Sequence, residues 1–246
     1  MKTRLSVNLN KIALLRNSRG RNYPNLLEFA NMALDAGADG ITVHPRPDQR
    51  HAKYADVEAL SGFIPSWPHA ELNVEGYPDE KFLQTVIRHG PHQVTLVPDA
   101  PDQLTSDHGW DLVHQGNFIS EIVARLKSAN IRCSLFMDPD PEQIDLAADT
   151  GVDRIELYTE SYALKFGTPQ ETVVLEIYRE AALHAQSRGL GVNAGHDLNL
   201  VNLGKFLEIP GILEVSIGHA LTVESLEYGF MNVIEKYHAL MQSTQG

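Results

Sequence analysis

Short apolar runs rich in β-branched residues alternate along this chain with longer stretches whose apolar positions recur at helical spacing. The junctions repeat a pattern. ALDAGADGITVH (33–44), LKSANIRCSLFMD (126–138), AADTGVDRIELY (147–158) and AQSRGLGVNAGH (185–196) each run from a helix end, through Gly or Asn, into a β-rich segment. Gly or Asn at that point suits the left-handed residue that closes a helix. Strands are therefore predicted at 4–8, 40–43, 71–75, 93–97, 132–137, 154–157, 191–194 and 213–217, with helices between them. The clearest helix spans 23–36, with Leu26, Phe29, Ala30, Ala33 and Leu34 on one face and Pro24 in its first turn. Eight βα units in 246 residues predict a (β/α)8 TIM barrel, α/β in class, as a single domain over residues 1–246. A doubly wound open sheet is the weaker alternative, because no G-x-G-x-x-G follows the first strand. No linker, low-complexity tract or charge block divides the chain.

One connection exceeds the usual length. PDAPDQLTSDHGWDLVHQG (98–116) has no clear periodicity and follows strand four, on the face where barrels do chemistry. It reads as a long loop acting as a lid, with a plain surface excursion as the alternative.

Composition narrows the class. The chain is 43% hydrophobic with formal net charge -12, which fits a globular protein and argues against a nucleic-acid or anionic-membrane surface. The single cysteine, Cys133, excludes a disulfide framework and a cysteine metal cluster. The N-terminal segment lacks the apolar core of a signal peptide, and no apolar run approaches the ~18 residues of a membrane span. A soluble, cytoplasmic protein is the expectation.

The acidic balance makes one stretch conspicuous. ITVHPRPDQRH (41–51) places His44, Arg46, Arg50 and His51 at the end of strand two, a local basic pocket. The other strands also end in polar residues: Asn8 and Asn10–Lys11 after strand one, with Arg16 and Arg19 in the following loop; Glu75 on strand three; Thr105 in the long loop; Asp138, Glu156, His196 and Gly218–His219 on strands five to eight. Core packing does not account for that coincidence at the carboxyl ends of barrel strands. Singly, a strand-end His is more often structural, Asp138 could cap the next helix, and Glu156 could be a buried partner of Lys11 or Arg19. Together, His44, His196 and His219 with two glutamates favour a site. Glycines 195 and 218 let backbone N–H groups approach a ligand where barrels commonly bind phosphate. With the basic stretch, this gives two anion loci and suggests two phosphorylated substrates or one bisphosphate.

Other chemistries stay open at this level. Glu75, Glu156, His196 and His44 could hold a divalent metal, as in sugar-phosphate epimerase or isomerase barrels, although H-x-H and H-x-x-E-H spacings are absent. A Schiff-base aldolase would place Lys at the end of strand five, six or seven, and none is there. A non-catalytic phospholigand-binding barrel would not need His and Glu on opposite walls.

The segments VNLNKIALLRNSRG, GADGITVHPRPDQRH, LNVEG, LVPD, VNAGHDL and SIGHAL, in this order and one per strand end, resemble the pyridoxine 5'-phosphate synthase family. The resemblance implies a transferase of vitamin B6 (pyridoxine) biosynthesis. It would condense 1-deoxy-D-xylulose 5-phosphate with 3-amino-2-oxopropyl phosphate into pyridoxine 5'-phosphate, phosphate and water, without metal or organic cofactor. It implies His44 and Glu75 as general bases and His196 as proton donor. Asn8, Arg19, Gly218 and His219 would hold the amino-ketone phosphate; Arg46, His51 and Thr105 would hold the deoxyxylulose phosphate. It also implies a homo-octamer. The chain departs from the family pattern at Asn10–Lys11, where well-known members have Asp-His tied to the deoxyxylulose phosphate, and at Asp197, where they have Gly. Both positions are carried over as substrate-binding.

Overall fold

The computed structural model describes residues 2–99 and 106–243. Eight parallel strands, β1 (Arg4–Asn8), β2 (Gly40–Val43), β3 (Glu71–Gly76), β4 (Gln93–Leu96), β5 (Arg132–Met137), β6 (Arg154–Tyr158), β7 (Gly191–Gly195) and β8 (Ile212–Ile217), close into a barrel in chain order. β8 pairs in parallel with β1 and completes the ring. Outside lie α1 (Asn10–Asn17), α2 (Leu26–Asp35), α3 (Tyr54–Phe63), α4 (Glu80–His89), α5 (Leu112–Ser128) and α6 (Pro141–Asp149). They are followed by α7 (Glu160–Lys165), α8 (Glu171–Ser187), α9 (Leu203–Phe206), α10 (His219–Tyr228) and α11 (Phe230–Ser243).

The repeated junction has the conformation its sequence asks for. Gly37, Asn130, Gly151 and Gly189 all have positive φ, between 58° and 99°. Each ends a helix in the left-handed region and turns the chain into a strand. α4 displays the full set of local signals. Asp79 caps it by accepting from the Phe82 N–H at 2.7 Å, Phe82, Leu83 and Val86 are buried, and Gly90 at φ 58° stops it. Losing that cap in D79A would cost about 1 kcal/mol.

Some expectations are corrected. The predicted helix at 23–36 starts at Leu26, because Asn25 caps it by accepting from the Leu27 N–H at 2.9 Å; Pro24 lies before the cap. Leu26, Ala30, Ala33 and Leu34 are buried, while Phe29 is half-buried and meets Phe230 edge-on at 4.9 Å. The segment holding Lys11 and Arg16 is helix α1 rather than loop. The connection after β4 is shorter than read, because α5 already begins at Leu112. Its second half is anchored: Trp110 is buried, donates Nε1–H to the Leu96 carbonyl at 2.8 Å and stacks on Tyr77. Asp138 does not cap the next helix, which Asp140 does; it accepts from the Gly109 N–H at 2.9 Å.

The barrel interior is polar. Leu5 and Val7, Leu72 and Val74, Val94 and Leu96, Cys133 and Leu135 are buried in the apolar core, and the residues alternating with them belong to the opposite face. That face carries a chain of hydrogen bonds: Ser6 with Thr42, Thr95 to Asn73, Arg132 to Gln93, Gln93 to Glu214 and Arg154 to Asn193. Barrels more often fill this space with Val, Ile and Leu. Here most of the buried polar groups named satisfy one another, as their desolvation requires, while among the described residues Ser134 Oγ and Glu156 Oε2 have no hydrogen-bond partner. No described helix is long and apolar enough to cross a membrane.

Candidate active site

At the carboxyl ends of the strands lies a cavity of about 360 Å³. Asn8, Asn10, Lys11, His44, Arg46, His51, Glu75, His196, Asp197, Gly218 and His219 all line it. The structure thus brings together most of the residues selected from sequence. Two are not among them. Arg19 is exposed in the turn after α1 and does not line the cavity. Thr105 lies outside the described residues.

Glu75 sits near the centre. Its Oε2 accepts from Asn8 Nδ2 at 3.4 Å and lies 3.8 Å from His44 Nδ1. Burial, reinforced by the charge of Asp99, pushes its carboxyl up to about 7 against the opposing charge of Arg46. Such a group exchanges its proton near neutral pH. Burial, then the charge of Arg46, lowers His44 well below the usual imidazole range, so the neutral ring prevails. His51 is lowered to about 4 by burial and then by Lys11 and Arg50, and its Nδ1 is a buried atom without a hydrogen-bond partner. A neutral imidazole offers one donor and one acceptor, which is what a shuttling proton needs.

His196 has positive φ, 75°, and so does Asp197, at 58°. Two successive non-glycine residues in this region store strain of the kind that collects at functional sites. Thr159, fully buried, restrains them: its hydroxyl donates to the Gly195 carbonyl at 2.6 Å and also to the His196 carbonyl. Asn202 Nδ2 donates to the Asp197 carbonyl at 3.0 Å. The His196 ring meets Tyr158 edge-on at 5.1 Å and Phe136 at 5.3 Å. Burial lowers it, opposed by Asp197, Asp99 and Glu160.

The glycines are required for a reason the sequence did not supply. A Cβ on Gly195 would stand 2.4 Å from Glu156 Oε1, and one on Gly218 would stand 3.0 Å from the Asn8 Cβ. Both make room for neighbouring side chains at the rim. Asn10 is partly structural, since its Oδ1 accepts from the His44 N–H at 2.8 Å and fixes the end of β2.

Several residues behave differently from the sequence reading, and others were missed by it. Arg16 forms a two-pronged ion pair with Asp56, at 2.6 and 2.8 Å, away from the cavity. Arg50 pairs with Asp48 at 3.1 Å and lines a groove outside the cavity. Among the described residues Glu156 makes no ion pair with Lys11 or Arg19; it lines the cavity, and burial followed by the charge of Glu75 raises it well above the usual range. Asp99 carried no role in the sequence. It binds Arg46 at 2.5 Å, lies 3.8 Å from His44 Nε2 and accepts from Ser106 at 2.9 Å. Asp99 follows β4 and Arg46 follows β2, so their pairing passes over the end of β3, where Glu75 stands. Tyr158, Glu160, Ser106 and Ser216 also line the cavity. Glu156 was singled out from sequence as a strand-end carboxylate; the signal for Tyr158 was its alternate spacing with Glu156 on one strand. Among the described residues no group of three or more His, Cys, Asp or Glu is arranged to hold a metal ion.

Comparison with known proteins agrees on fold and family. The crystal structure of KGPDC from Streptococcus mutans superposes with a TM-score of 0.64 over 100% of both chains, at 13% identity, a likeness of fold alone. The pyridoxine 5'-phosphate synthase of Rhizobium meliloti is 49% identical over 243 residues, covering 96% of this chain and 97% of that one. That of Agrobacterium fabrum is 48% identical over 242 residues, covering 96% of each. The model of the family described as pyridoxal phosphate biosynthesis protein PdxJ matches residues 5–243. On this evidence the chain belongs to the PdxJ family, that of the pyridoxine 5'-phosphate synthases.

Proposed function

We propose that the protein is a pyridoxine 5'-phosphate synthase, condensing 1-deoxy-D-xylulose 5-phosphate with 3-amino-2-oxopropyl phosphate to pyridoxine 5'-phosphate, phosphate and water. The observation that carries this reading is the convergence of His44, Glu75 and His196 on one cavity edged by Gly218–His219 and Arg46. In the reaction an amine attacks a ketone, water leaves, phosphate is eliminated, and the ring closes and aromatises. Each step moves a proton. Glu75 and His44 serve as bases and His196 as proton donor: the Glu75 carboxyl, raised to about 7, exchanges its proton near neutral pH, and the neutral His44 ring has a free acceptor for one.

The phosphates divide between two loci in this reading. Asn8, Gly218, His219 and the backbone of Asp197 take the amino-ketone phosphate. Asn10, Lys11, Arg46 and His51 take the deoxyxylulose phosphate, with Asp99 already on one side of the Arg46 guanidinium. The parts given to Arg19 and Thr105 rest on resemblance alone. The reaction needs no metal and no organic cofactor.

The assembly is a homo-octamer in the cytoplasm, where both phosphorylated substrates are held by their charge. Leu15 at 57% and Leu226 at 85% exposure, both on an outer groove between α1 and α10, support burial against further copies. The test is incubation of EDTA-treated protein with both phosphates. Pyridoxine 5'-phosphate is expected; activity lost to EDTA and restored by a divalent ion would instead favour a metal-dependent sugar-phosphate epimerase or isomerase.

A further inference from the structure

A histidine that transfers a proton is usually aimed by a hydrogen bond to its second ring nitrogen. Among the described residues nothing hydrogen-bonds the His196 ring; its ring contacts are Tyr158 and Phe136. The direction of the imidazole is therefore set mainly by the backbone that carries it. That backbone is strained, with φ of 75° at His196 and 58° at Asp197. A glycine would take such an angle freely, whereas a residue with a Cβ must be held there.

The start of α7 supplies the hold. Thr159 stands directly before the helix and is fully buried. Its N–H donates to the Gly195 carbonyl at 3.0 Å, and its hydroxyl reaches the same carbonyl and that of His196. Its own position is fixed one residue back, where the buried Tyr178 hydroxyl donates to the Tyr158 carbonyl at 2.5 Å. Three residues on, Tyr162, also fully buried, donates its hydroxyl to the Asn202 carbonyl at 2.8 Å. Asn202 Nδ2 in turn donates to the Asp197 carbonyl at 3.0 Å. One helix start thus fastens both ends of the 196–202 turn through buried hydroxyls that bond backbone alone.

We propose that Thr159 is a positioning residue, which aims the His196 ring into the cavity by latching its backbone, with Tyr162 and Asn202 as the rear fastening. The proposal rests on the pyridoxine 5'-phosphate synthase reading for the role of His196 as proton donor. Thr159 itself does not line the cavity and touches no reacting atom. Its effect passes through His196, so losing its hydroxyl misplaces the donor and leaves the phosphate contacts standing.

Steady-state kinetics of T159V, T159S and Y162F, with T159V repeated in an H196N background, tests this. T159V keeps the shape and removes the hydroxyl; its turnover is expected to fall about 10–100-fold, with both Michaelis constants within about 3-fold of wild type. T159S keeps the hydroxyl and should restore most of the loss. In H196N, adding T159V should lower turnover no further, because the two residues act as one unit. Y162F should follow the same pattern with a smaller loss, and it decides by the same criteria if T159V does not fold. Wild-type turnover in T159V, a T159S no better than T159V, or an equal further loss in H196N would overturn the latch. Crystal structures of wild type and T159V give a readout independent of activity: the His196 ring is expected to shift, and an unmoved ring would overturn the latch. Product formation by the wild type with ring and turnover unchanged in T159V overturns the latch alone. A shifted ring in T159V with no product from the wild type upholds the latch and overturns the proposed reaction.

Discussion

Glu71 and Glu75 share one face of β3, near its two ends, and the barrel treats them oppositely. At the amino-terminal end Glu71 binds Arg4 at 2.5 Å and also Arg132. Burial alone would raise its carboxyl, but Arg132 and Arg4 overcome that and hold it at about 2. At the mouth Glu75 accepts a long hydrogen bond from Asn8, has the His44 ring 3.8 Å away, and is pushed up to about 7 by burial and Asp99 against the charge of Arg46. The same side chain on the same strand is a fixed anion at one end and an exchangeable proton site at the other. Arginine neighbours make the first a strut; their near absence makes the second a base. Barrel bottoms serve stability and barrel mouths serve chemistry, and here the division is set by pairing rather than by residue type.

The comparison predicts opposite mutational outcomes. E75Q should lower turnover by about 10²–10⁴-fold, the usual worth of a positioned base. It should leave stability unchanged or improved at pH 8. A carboxyl raised to about 7 binds its proton more tightly folded than unfolded, so its stabilising effect is lost as pH rises from about 4.5 to 7. Near-wild-type turnover in E75Q would remove Glu75 from the mechanism.

Arg46 stands between these extremes, since it is paired with Asp99 yet lines the cavity. R46A should weaken deoxyxylulose phosphate binding by roughly 10–150-fold, from a lost charge-assisted bond of about 1.5–3 kcal/mol. Binding of the amino-ketone phosphate should stay within a few-fold. Equal weakening of both, measured by calorimetry, would mean that the two anion loci are one.

E71Q should act the other way from E75Q. It leaves Arg4 and Arg132 short of a partner and should cost about 1–3 kcal/mol by denaturant unfolding, with turnover little changed. The lowered carboxyl contributes stability above its unfolded pKa and loses it as pH falls toward about 2, so the gap between E71Q and wild type should narrow below about pH 4.5. A large loss of turnover with unaltered unfolding would contradict the strut.

Much of this was legible in the sequence because it is local. The strands were read to within a residue or so at their ends, since β-branched runs and left-handed caps announce them. α1 was not, because no side chain caps its start and Asn10–Lys11 reads as rim chemistry. His44, Glu75 and His196 were legible as polar residues where a strand ends. Asp99 was hidden, because its meaning lies in Arg46 and His44, which only closure of the barrel brings to it. The roles of Gly195 and Gly218 were likewise invisible, being set by Glu156 and Asn8 on other strands. The polar interior was written in plain alternation, yet which groups pair and which stay exchangeable depends on the ring as a whole.

The most direct test of this division is the pH dependence of pyridoxine 5'-phosphate formation in wild type, E71Q and E75Q. An acid limb near pH 7, where Glu75 must lose its proton to act as a base, is expected in wild type and in E71Q, and its absence is expected in the residual activity of E75Q. An acid limb that persists unchanged in E75Q, or that disappears in E71Q, would contradict the assignment of chemistry to the mouth and stability to the base of the barrel.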